Sequence, residues 1–132
     1  MSGFAETPSA RLSADGRRLR LLHGPIDVIV TAEGPQAARM AAFARVRAAF
    51  LPVLGTLVGE LPRLRAADGP MPDGPVARRM VAATAPFAPA FVTPMAAVAG
   101  SVADHLRDAA LGSDEPRTTA RGLERLIVNN GG

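Results

Sequence analysis

Two short stretches of the chain combine residue types suited to holding an anionic ligand. In Phe91–Asp104, FVTPMAAVAGSVAD, Thr93 suits a helix N-cap and Pro94 suits the first helical position. A helix starting there leaves the N–H groups of Met95, Ala96 and Ala97 without intrahelical acceptors, which favours a phosphate beside them. The small alanines would let such a group come close. The second stretch, IVNNGG at Ile127–Gly132, reads as a strand running into a glycine loop. Backbone at Asn130, Gly131 and Gly132 would then allow close approach of a ligand. Gly100 falls inside the expected helix, where glycine costs about 1 kcal/mol relative to alanine. Close packing or ligand approach would account for it.

Other polar residues offer less. Arg78 and Arg79 are candidate phosphate contacts, since a guanidinium fork matches anionic oxygens in pairs, although paired arginines also make an ordinary solvated face. Asp104, His105 and Asp108 have a spacing that could hold a metal, but Arg107 interrupts them and no second histidine is near, so no metal site is assigned. His23, beside Gly24 and Pro25, reads as a turn residue. No nucleophile–base pair is visible, and the catalytic residues are unassigned.

The elements that must position these residues follow from patterning. Residues 1–16 read as a flexible lead-in. Leu19 and Leu21 alternate with Arg18 and Arg20, and Ile26, Val28 and Val30 alternate after the His23-Gly24-Pro25 turn, which predicts an antiparallel pair. Met40, Phe43, Val46, Phe50, Leu54, Leu57, Val58 and Leu61 recur at helical spacing. Pro52 lies inside that run and predicts a break near Phe50–Leu51. Pro62–Gly74 reads as a loop, PVARRMVAATAPF as a short helix, and 111–119 as a turn-rich break. Leu123–Val128 returns to strand character before the glycines. The chain then stops inside a glycine loop, which suggests a domain incomplete at its C-terminus.

Composition bounds the function. The 132 residues have room for one domain and bury roughly two thirds of their unfolded surface. All 15 basic residues are arginine, they are scattered, and the net charge is only +3. The basic stripe and interleaved aromatics of a nucleic-acid binder are missing, so no nucleic-acid partner is expected. With no cysteine, disulfides and thiolate chemistry are excluded, and the N-terminus lacks the apolar core of a secretory signal, which points to the cytoplasm. Met80–Ala103 holds no charge and is long enough to span a bilayer. Pro86, Pro89 and Pro94 interrupt it and much of it is alanine, so it reads as two short helices with a buried connection and no membrane span.

From about Arg17 onward, HGPIDVIV, GPVARRMVAA, TPMAAVAGSVAD and VNNGG together resemble the ApbE-type flavin transferase superfamily, and more closely its small uncharacterised bacterial and archaeal branch. The resemblance implies an α+β fold with helices packed on a mainly antiparallel sheet. It also implies a pocket for FAD or FMN at Thr93–Ala97, Gly100 and Asn130–Gly132, and Mg²⁺-assisted FMN transfer in a full-length protein. Ala99 stands where the transferase pattern has lysine, and the acidic residue after the glycine pair and the metal-binding segment are absent. Flavin transfer by this chain alone is therefore not expected. The alternative is a non-catalytic binding or assembly module, a homo-oligomer paired through the sheet edge after Ile127 and Val128.

Overall fold

The computed structural model describes residues 7–112 and 122–131. Its fold is α+β, with helices covering one face of a four-stranded antiparallel sheet whose strands lie side by side in chain order. Strands β2 (Arg18–His23) and β3 (Ile26–Glu33) form the expected hairpin, with Leu19 opposite Val30 and Leu21 opposite Val28. Those four side chains and Ala32 are buried on the inner face, while Arg18 and Arg20 lie outside. On the outer face Arg20 donates two hydrogen bonds to the carboxylate of Asp27, at 3.0 and 2.7 Å.

The stretch read as a flexible lead-in contains strand β1 (Ser9–Leu12), paired antiparallel with β2. Four residues carry too short an alternation to announce a strand, and the pairing supplies what the pattern lacks. At the opposite edge, β4 (Arg125–Asn129) pairs antiparallel with β3, Ile127 facing Thr31.

Helix α1 (Gln36–Phe50) buries Ala42, Phe43, Val46 and Phe50 against the sheet. It ends where Pro52 removes a backbone donor, and α2 (Val53–Gly59) starts one residue later and buries Val53, Leu54 and Leu57. Gln36–Gly59 is the one run among the described residues apolar and long enough to cross a membrane. Here its apolar stripe is core, and the break at Pro52 divides it. The stretch expected to be all loop opens instead with a short helix, α3 (Leu61–Leu64). Glu60 then accepts hydrogen bonds from the N–H groups of Asp73 and Gly74, at 2.7 and 3.0 Å, fastening the far end of the loop.

Helix α4 (Pro75–Thr84) buries Val76, Ala77 and Met80. Its link to α5 (Val98–Leu111) runs through a 3₁₀ turn at Ala85–Phe87, a cis Ala88–Pro89 bond and a second 3₁₀ turn at Pro94–Ala97. The link is exposed rather than buried, with Phe91 81% and Phe87 60% accessible. Arg45 on α1 donates to the carbonyls of Ala109 and Ala110 in the C-terminal turn of α5, at 3.2 and 2.6 Å, which ties the two helices together.

Arg39 of α1 and Gly34 after β3 make two further tertiary contacts. Arg39 donates to the carbonyls of Gly16 and Gly34, at 3.1 and 2.5 Å. Gly34, with φ of +138°, meets Gly122 so closely that a Cβ would lie 2.4 Å from the Gly122 carbonyl oxygen.

Candidate functional site

The two stretches singled out by residue type meet in space. Asn130, just past β4, donates from its side-chain amide to the Ala99 carbonyl in the first turn of α5, at 3.3 Å. Beside this contact lies a cleft of about 390 Å³, within the size range of small-molecule sites. Leu54, Leu57 and Val58 of α2 form one wall, and Met95, Val98 and Val102 form the other. Pro25 and Ile26 of the hairpin close one end.

Two polar groups stand on this apolar lining, Arg65 and Asn130. The Arg65 side chain has no ion pair or hydrogen-bond partner among the described residues. The Asn130 carboxamide uses one N–H on Ala99 and keeps its oxygen and second N–H. The cleft can therefore take a ligand with an apolar body, an amide-like edge and one anionic group.

A second concavity, of about 470 Å³, lies between the α3–α4 loop and the exposed link. It is larger, and among its polar side chains Arg63 and Thr84 are occupied. Arg63 donates to the carbonyls of Pro70 and Ala66, at 2.6 and 3.0 Å, and the Thr84 hydroxyl donates to the Met80 carbonyl at 2.9 Å.

The expected anion site takes a different form. Thr93 makes no side-chain cap, and Pro94–Ala97 is a 3₁₀ turn in which the Ala96 N–H already donates to the Thr93 carbonyl at 3.0 Å. Pro94 is buried and faces the larger concavity, Met95 lines the cleft, and Ala97 packs against the core. Ala96 is exposed. The α-helix proper begins at Val98, so the free N–H groups expected at Met95–Ala97 are not arranged as an α-helical start.

Gly100 needs neither of the reasons advanced for it, because a Cβ there would meet nothing within 4 Å. Gly131 is exposed and has no positive φ, and Gly132 lies outside the described residues, as does most of the turn-rich 111–119 stretch. Arg78 donates to the Pro72 carbonyl at 3.3 Å, and Arg79 is ion-paired with Asp108 on α5. Neither arginine lines the cleft.

His105 sits half-buried beside that pair. Its pKa is lowered from the ordinary imidazole value by burial first and by the Arg79 charge second, with Asp108 opposing. Among the described residues, no group of three or more His, Asp or Glu side chains is placed to hold a metal.

The helix-period stripe on α2 hid the rest of the site. Leu54 and Leu57 serve both core and cleft, whereas Val58, 43% exposed, is an apolar position that the core does not need. Arg65 has no motif around it, and only the fold brings it to Asn130.

Helices on one face of an antiparallel sheet define an α+β domain, with an apolar cleft where α2, α5 and the end of β4 converge. The chain belongs to the family described as AbpE bacteria, whose model matches residues 10–132. That match corrects the resemblance drawn from the motifs, because the matching family is not a flavin transferase family. Comparison with curated proteins and with solved structures gives no match.

Proposed function

We propose that this chain is a non-catalytic small-molecule-binding domain whose cleft takes a flat, largely apolar ring system bearing an amide or imide edge and one anionic group. The observation that carries this reading is the pairing of an apolar cavity with a guanidinium at Arg65, unpartnered among the described residues, and a half-used carboxamide at Asn130. Flavin mononucleotide has all three features. Its dimethylbenzene end suits Leu54, Leu57 and Val102, its imide edge matches a carboxamide, and its phosphate suits a guanidinium. A dinucleotide such as FAD fits less well, because among the described residues Arg65 is the only cation lining the cleft. Transfer of FMN to a protein is not part of the proposal. A cytoplasmic location belongs to this reading, since free nucleotide ligands are found there.

Titration with FMN, riboflavin and FAD tests it, followed by flavin fluorescence, which no tryptophan or tyrosine of this chain complicates. FMN is expected to bind saturably and more tightly than riboflavin. Arg65→Ala should weaken FMN by about ten-fold or more, the worth of one charge-assisted contact, and leave riboflavin unchanged. No saturable FMN binding up to about 1 mM would overturn the flavin assignment.

A further inference from the structure

The free side of β4 carries a self-complementary pattern, and we propose that it is the contact through which two copies of this chain pair about a two-fold axis centred on Ile127. β4 is an edge strand, bonded to β3 on one side only among the described residues. The direction of its backbone groups follows from the ladder. The Ala32 N–H donates to Arg17 on the β2 side, while the Glu33 carbonyl accepts from Glu124 on the β4 side. Backbone groups alternate in direction along a strand, so Ile29, Thr31 and Glu33 bond toward β4. Their register partners Asn129, Ile127 and Arg125 bond back to β3. The N–H and C=O groups of Leu126 and Val128 therefore face outward.

An antiparallel second copy centred on Ile127 sets Leu126 of one chain opposite Val128 of the other, twice. Each such pair exchanges two backbone hydrogen bonds, four in all. Ile127 then faces its own symmetry mate, Arg125 faces Asn129, and Glu124 faces Asn130, so apolar meets apolar and no like charges oppose. A shift of one residue either way spoils this. Centring on Leu126 sets Glu124 against Val128, and centring on Val128 sets Leu126 against Asn130.

The outer face adds to the argument. Ile29 and Ile127 are 38% and 42% exposed on neighbouring strands, and pairing would join them to the same two residues of the second copy in one apolar strip. The opposite edge is protected against the same association. Self-pairing of β1 about Arg11 would oppose two arginines directly.

Because the chain has no cysteine, Ile127→Cys places a single thiol on the axis, at the close Cβ approach that a disulfide needs. Under mild oxidation it is expected to form a covalent dimer about ten-fold faster than Leu12→Cys on the β1 edge. In light scattering the wild-type chain should be dimeric at protein concentrations on the order of 100 μM, and Ile127→Lys monomeric. Circular dichroism of Ile127→Lys should match the wild type, since this side chain lies on the outer face. A wild-type monomer at that concentration, equal oxidation rates for the two thiols, or a dimer that survives Ile127→Lys would overturn the proposal.

Discussion

Gly100 occupies the first turn of α5, is solvent-exposed, and has open space where a Cβ would go. Gly100→Ala should raise stability by about 0.5 kcal/mol, because alanine loses less backbone entropy in a helix and meets no obstacle here. FMN affinity should not change, since Val98, Ala99 and Val102 line the cleft and Gly100 does not. Thermal unfolding and flavin titration of the variant check both halves. At this scale the sequence was informative about place and less so about role. Met95, Val98 and Ala99 do converge with Asn130, but the polar contacts suited to an anion come from Arg65, an arginine among fifteen basic residues with no distinguishing neighbours. Arg78 and Arg79, chosen because they are adjacent, are spent on Pro72 and Asp108.

The elements themselves are written more plainly. The β2–β3 hairpin follows from alternation and a Gly-Pro turn, and the break between α1 and α2 follows from a proline without a donor. β1 was not legible because its alternation spans four residues, and the 3₁₀ turn at Pro94–Ala97 was not legible because Thr93-Pro94 is equally a good α-helical start. The junction between β3 and the approach to β4 depends on Gly34. Gly34→Ala would force a side chain into a positive-φ position and into the Gly122 carbonyl, which cannot move without shifting the entry to β4. A loss of about 2 to 4 kcal/mol is expected, measured as a lower urea midpoint with an unchanged slope.

The stability of the whole molecule should depend on pH through His105. Its folded pKa lies below the ordinary value of about 6.5, so between the two values the unfolded chain binds more protons than the native one. Stability therefore rises with pH through that window, is complete above about pH 6.5, and is lost as pH falls through the folded pKa. Because the imidazole is only half-buried and the Arg79–Asp108 pair beside it is solvated, the effect should be small. His105→Gln should flatten the difference in melting temperature between pH 5 and pH 7.5.

The pairing of β4 with β3 joins residues about a hundred positions apart, Ile29 with Asn129 at the extreme. During synthesis the hairpin and the helices between these strands leave the ribosome first. Until β4 arrives, the IDVIVTAE strand has an open, β-branched edge able to bond to any extended chain nearby. Closing so long a loop is slow relative to local folding. The late strand thus acts as the cover that ends the nascent domain's period of vulnerability to aggregation.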